Sequence, residues 1–160
     1  MKYRRLTREQ LEELHREFIN FLAAQSITAE EWDRIKKEQP ETAEQEVDVF
    51  SDLIWEGVLQ KVDYLENISQ RQMNLFHLTG KEMRLIGIRV LNPDIDLTTQ
   101  EGFGWFKKHF MTDMVEIMTA AKAYSEDRNR DKFELIEKGA VITKGELYRW
   151  FDDILRDGML

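Results

Sequence analysis

Apolar positions recur at helical spacing through the N-terminal part of the chain and give way to short, dense apolar runs near its middle. Leu11, Leu14, Phe18, Phe21 and Leu22 define the buried face of a first helix predicted over 7–25. Thr7 is its N-cap, Gln10 completes a capping box, and Leu6 can staple against Leu11. A second helix repeats the device with Thr28 as cap, Glu31 three residues on, and Ile27 set to meet Trp32; Pro40 disfavours helical geometry at Gln39 and ends it. The third and longest helix starts near Thr42. On it Val47, Phe50, Ile54, Val58 and Leu65 share one stripe, and Glu44, Asp48, Asp52 and Glu56 form an acidic row along the flank. Gly57 costs about 1 kcal/mol relative to Ala inside a helix. Close approach of a neighbouring element would explain it; the alternative is a break there, with an extended segment from about Val62.

Beyond Asn67 the period changes. Residues 74–78 and 83–91 are rich in branched and aromatic side chains and are joined by Thr79-Gly80-Lys81-Glu82, which predicts a hairpin. Phe76 and Leu78 on one strand, with Ile86, Ile88 and Val90 on the other, are expected to supply one apolar face. Asn92-Pro93-Asp94 ends it, and Thr98 with Glu101 opens a helix to about Phe110 that buries Phe103, Phe106 and Phe110 and is weakened by Gly102 and Gly104. Residues 111–124 fit either a helical face or a strand; a strand is favoured because a two-strand hairpin is marginal without a third partner. A helix over 126–138 stops at Gly139, residues 140–142 form an extended link, and a last helix capped by Thr143 with Glu146 turns Leu147, Trp150, Phe151 and Ile154 inward. Clustered strands flanked by helices make the class α+β: three N-terminal helices, a central antiparallel hairpin extended by a third strand, and C-terminal helices packed on the sheet.

Composition narrows the picture. A chain of 160 residues with 42% hydrophobic and 34% charged residues suits one globular domain over 1–160. No apolar run approaches the ~18 residues of a membrane span, and the start MKYRRLT lacks a signal peptide's apolar stretch, so a cytoplasmic protein without a membrane partner is expected. The absence of cysteine removes disulfides, thiolate nucleophiles and cysteine-held metals. Residues 1–60 carry 8 Lys and Arg against 14 Asp and Glu, hence −6 of the total −8. A field of that sign repels phosphate backbones, so nucleic acid is not the expected partner. Lys2, Arg4, Arg5 and Arg8 form one basic cluster, read as a solvated arm.

MKYRRLTREQLEEL at the start, VDVFSDLIWEGVL, and FELIEKGAVITKGELYRW near the end resemble, at similar length and spacing over nearly the whole chain, an uncharacterised bacterial family, a domain of unknown function found chiefly in Bacteroidota. The resemblance implies no activity, cofactor or catalytic residue.

Candidate chemistry is sparse. Glu12 and His15 make an E-x-x-H pair, and Asp48 and Asp52 could add oxygens if the first and third helices lie side by side, giving a mononuclear metal site. The plainer reading is a solvated helix surface. Asp48 projects between Trp55 and Leu59, where a carboxyl would have a raised pKa unless paired; an Asp bonded to Arg or to a neighbouring helix's N-terminus is the simpler expectation. Trp105 points away from the Phe103, Phe106 and Phe110 face and, with Lys107, Lys108 and His109, forms the one basic and aromatic patch, a candidate partner anchor together with Trp55; cover by the 114–124 segment is the alternative. Glycine-rich phosphate loops and the HExxH and GxSxG motifs do not occur. The expected function is a non-catalytic protein-binding or assembly module with no cofactor, self-associating or joined to a protein partner. A small metal-dependent hydrolase using Glu12, His15, Asp48 and Asp52 is the alternative. A helix-turn-helix nucleic-acid binder fits less well, because acids cancel the basic residues of the C-terminal helices.

Overall fold

The computed structural model describes residues 1–158; two units divide between Gln60 and Lys61. In the first, the capping box at Thr7 forms as its sequence predicts: the Thr7 hydroxyl accepts from the Gln10 N–H and the Gln10 side chain accepts from the Thr7 N–H. The expected single helix is two, α1 (Arg8–Glu13) and α2 (His15–Ala24), because the dihedrals of Leu14 (φ −97°, ψ 21°) leave the helical region. Nothing in the sequence marks Leu14, a good helix former, as a breaker. Helix α3 (Ala29–Glu38) starts at the Thr28 cap and ends before Pro40, which itself opens α4 (Pro40–Lys61), in keeping with proline's fit to a first helical turn.

Helix α4 runs unbroken through Gly57, and a Cβ there would meet nothing within 4 Å, so close packing does not explain that glycine. Its buried positions are Ala43, Phe50, Ser51 and Leu59, whereas Val58 of the predicted stripe is 38% exposed and Leu65 lies beyond the helix. Phe50 is the hub of an aromatic cluster: Phe18 meets it edge-on at 5.0 Å and Trp32 contacts Phe18 at 5.3 Å, while Phe21 lies 5.4 Å from Phe50.

The second unit is built on five antiparallel strands in the order β4-β3-β2-β1-β5: β1 (Tyr64–Ile68), β2 (Gln72–Leu78), β3 (Glu82–Val90), β4 (Val115–Ala123) and β5 (Val141–Ile142). The predicted hairpin and third strand are its central members and one edge. Strand β1 takes the extended segment after Val62, and the link at 141–142 becomes the short β5 by pairing with Leu65 and Glu66. Helices α5 (Gln100–His109) and α7 (Glu146–Arg156) cover one face, where Met73, Leu75, Ile86, Ile88, Val90 and Val115 meet Phe106, Phe110, Tyr148 and Phe151. On the other, Leu65, Phe76, Leu78 and Met83 meet Leu135 and Ile136 of α6 (Arg128–Glu137).

Register corrects the expected apolar face. Phe76 pairs with Leu85 and Leu78 with Met83, so both point away from Ile86, Ile88 and Val90, which share their side with Met73 and Leu75. A sheet covered on both faces carries apolar residues at consecutive positions, and alternation no longer tells the faces apart. Helix α5 is capped by Thr99, not Thr98. Gly102 has a steric reason that propensity hides: a Cβ there would lie 1.7 Å from the Asp96 carbonyl oxygen. In α7 the N-cap is Gly145 at φ 80°, with the Tyr64 ring 2.4 Å from where a Cβ would stand, and the Thr143 hydroxyl accepts from the Gly145 N–H. Tyr148 and Phe151 are buried there, and Trp150, expected inside, is 42% exposed with its ring edge-on to Phe110. No helix among the described residues is long and apolar enough to cross a membrane.

Candidate interaction surface

The acidic row of α4 is occupied by the chain's own beginning. The backbone N–H groups of Lys2 and Tyr3 donate to the two carboxylate oxygens of Asp52 at 2.7 and 2.9 Å. One turn on, Glu56 accepts from the Lys2 ammonium at 2.8 Å and from the Tyr3 hydroxyl. One turn back, Asp48 takes the Arg5 guanidinium at 2.6 Å. Between them the buried Ser51 hydroxyl accepts from the Leu6 N–H, and Trp55 donates its indole N–H to the Arg4 carbonyl while the Arg4 guanidinium sits 5.3 Å from its ring centre. The four-residue repeat of the acids therefore matches a non-helical segment, residues 2–6, laid along one helix flank. Burial and the Glu56 carboxylate push the Tyr3 phenol up to about 12. Lys2, Arg4 and Arg5 of the basic cluster belong to a strap tied to the helix, where composition suggested a solvated arm, while Arg8 stays exposed on α1.

This arrangement accounts for Asp48, Asp52 and Trp55. Glu12 pairs with Arg8 across one turn at 3.4 Å, and His15 is exposed at the start of the next helix, past the break at Leu14. Among the described residues no three His, Asp or Glu side chains are gathered as a metal would require, so Glu12, His15, Asp48 and Asp52 are not brought together.

In the second unit Trp105 is half-buried against the sheet-covering core, its ring stacked on His109 at 4.4 Å, and the His109 ring nitrogen Nδ1 lies 2.7 Å from the Trp105 carbonyl oxygen. Lys107 and Lys108 are exposed, and the Lys107 ammonium sits 5.6 Å from the Phe103 ring centre. Sequence reading did not single out a second aromatic group, in which the His77 ring stacks on Tyr64 at 4.4 Å and lies 5.3 Å from Tyr148. Burial, aided by Arg84, pulls the His77 pKa below its ordinary value, and burial with Asp152 holds Tyr148 above its own. His77 pairs with Tyr64 across β1 and β2, a neighbourhood that only the register reveals.

Strand β4 is an open edge of the sheet. It ends the sheet, its one strand neighbour is β3, and from Met118 to Ala123 every residue is exposed. The phase of its hydrogen bonds follows from the Leu91 N–H, which donates to the Met114 carbonyl one step beyond the Val90–Val115 pair. Antiparallel ladders bond at alternate residues, so Glu116, Met118, Ala120 and Lys122 turn their main-chain groups toward β3, and Ile117, Thr119, Ala121 and Ala123 turn theirs outward. The outward N–H of Val115 is taken by the Thr112 carbonyl. Hollows flank the strand on both faces: one of about 510 Å³ between Thr119, Ala121 and Tyr148, and one of about 260 Å³ between Ala120, Lys122 and Leu135. Met118, 56% exposed, lies over Gly87, where a Cβ would come within 3.0 Å of its Cγ. Met111 and Met114 precede the strand as further exposed apolar side chains.

Long, exposed, apolar edges are templates for further strands, and natural sheets commonly blunt them. At the other edge β5 has two residues; β4 has nine and no proline or bulge. No curated protein and no solved structure matches the chain. A family model does match, over residues 1–156 of the 160, and it spans both the strap-bearing unit and the β4-bearing unit. The chain belongs to a family of unknown function, DUF6495.

Proposed function

We propose that the protein is a non-catalytic, cytoplasmic assembly module that binds a protein partner through the outer edge of β4. The observation that carries this reading is the run of outward main-chain groups at Ile117, Thr119, Ala121 and Ala123 on an exposed end strand. Strand addition uses such groups for affinity and alternate side chains for specificity. The lack of cysteine fits a reducing compartment. Trp105, Lys107 and Lys108 belong to the same unit and form a second candidate contact, with the two exposed lysines suited to an acidic rim.

Thr119→Pro tests the reading, because it removes an outward N–H and leaves the bonds to β3 in place. A photoreactive side chain at position 121 should yield a covalent adduct of discrete mass in cells, and Thr119→Pro in the same chain should abolish it with the thermal melt retained. No discrete adduct, or one indifferent to Thr119→Pro, would overturn the proposal.

A further inference from the structure

Strand β4 is complementary to itself. Its sequence, VEIMTAAKA, is centred on Thr119, with Glu116 three residues before that centre and Lys122 three residues after. The larger apolar residues Val115, Ile117 and Met118 stand before it, and Ala120, Ala121 and Ala123 after it. We infer that two copies of this chain associate by antiparallel pairing of their β4 edges about a twofold axis through Thr119, joining two five-stranded sheets into one. The inference rests on the edge-binding reading above and names its partner.

Antiparallel pairing about Thr119 sets each Glu116 opposite the other copy's Lys122, twice across the axis. It sets Met118 opposite Ala120, Ile117 opposite Ala121 and Val115 opposite Ala123, so a large side chain meets a small one at each of these pairs. The ladder phase agrees. Thr119, Ile117 and Ala121 all point their main-chain groups outward, and this register pairs outward residues with outward residues; a shift of one position would set them against residues already bonded to β3. Faces agree as well, since Glu116, Met118, Ala120 and Lys122 share one side of the sheet. Parallel pairing in register would instead bring Glu116 against Glu116 and Lys122 against Lys122. The charges that usually guard an edge strand thus admit one arrangement and oppose another. Within each copy Glu116 keeps a loose contact with Arg89, 3.9 Å away and largely exposed, which leaves its second oxygen available.

Charge reversal in two separate chains provides the test. Lys122→Glu alone sets two acids opposite each other at both ends, and Glu116→Lys alone sets two lysines there; each should weaken association about tenfold in sedimentation experiments. Mixed one to one, the two variants have opposite charges at every such position and should form a heterodimer with wild-type affinity. Because the chain has no cysteine, Thr119→Cys introduces a lone thiol whose partner across the axis would be ~5.5 Å away, and mild oxidation should give a disulfide dimer. The same change at Ala123 separates the thiols by roughly 26 Å and should give none. Thermal melts of dilute variants establish that each is folded. A wild-type chain that stays monomeric, or variants that fail to complement when mixed, would overturn self-pairing; a discrete adduct of other mass from position 121 that is lost with Thr119→Pro would leave the edge-binding reading standing.

Discussion

The α4 flank and the β4 edge each present a regular row of polar groups, and they differ in whether the row is filled. Along α4 the carboxylates of Asp48, Asp52 and Glu56 and the hydroxyl of Ser51 each hold a group from residues 2–6. Along β4 the main-chain groups of Ile117, Thr119, Ala121 and Ala123 turn outward from the last strand of the sheet. A conspicuous row of charge marks a contact the chain satisfies by itself; an inconspicuous run of alanines marks, on the reading proposed above, the one offered to a partner. Substitutions on the α4 flank should therefore change stability, and those on the β4 edge should change association alone.

The largest expected effect is Asp52→Ala, which strips the acceptor from two backbone N–H groups and should cost about 2–3 kcal/mol in urea unfolding. A value near zero would mean that the strap contributes nothing and would erase the contrast. Ser51→Ala leaves the Leu6 N–H without its buried acceptor and should cost ~1–2 kcal/mol. Tyr3→Phe removes the hydroxyl bonded to Glu56 and should cost about 1 kcal/mol at neutral pH. It also changes the alkaline limb. With the folded phenol held at about 12 and the free phenol at 10.0, the contribution is complete below pH 10 and fades as pH rises toward 12, so the variant should show a flatter stability profile there.

In the second unit the neutral ring of His77 supplies a milder test. Its folded pKa lies below the ordinary 6.5, so its contribution is present above that value and is lost as pH falls from it through the folded pKa. His77→Phe should flatten stability over that acidic window, as followed by thermal melts at stepped pH. The smallest effect belongs to the edge itself: Lys122→Ala should leave the unfolding free energy of the dilute protein within about 0.5 kcal/mol of wild type. A larger loss would show that Lys122 serves the fold of its own chain.

Local chemistry made much of this fold legible. The caps at Thr7 and Thr28, the 79–82 turn and the third strand all follow from residues close in sequence, and they are where the spacing predicts. The extended segment after Val62 was the open alternative to a longer helix and is strand β1, in a short hairpin with β2; the pair it makes with β5 joins residues seventy-odd positions apart, which no local pattern encodes. The swap of Phe76 and Leu78 to the opposite face has the same origin, since two covered faces erase alternation. For the site, the acidic row was visible, and a partner for Asp48, either an arginine or a helix N-terminus, was the simpler expectation; that it would be Arg5 was not legible. The edge position of β4 was invisible because strand order is a property of the whole sheet. Yet the symmetry of Glu116 and Lys122 about Thr119 lay in the sequence throughout, without meaning until the strand was known to be terminal.

The strap also closes a long loop. Lys2 and the Glu56 that holds it are separated by 54 positions, and the entropy of closing a loop of that length grows only slowly with its length. The bonds from residues 2–6 to Asp48, Ser51, Asp52 and Glu56 share that single closure, so the effects of removing them one by one should not add.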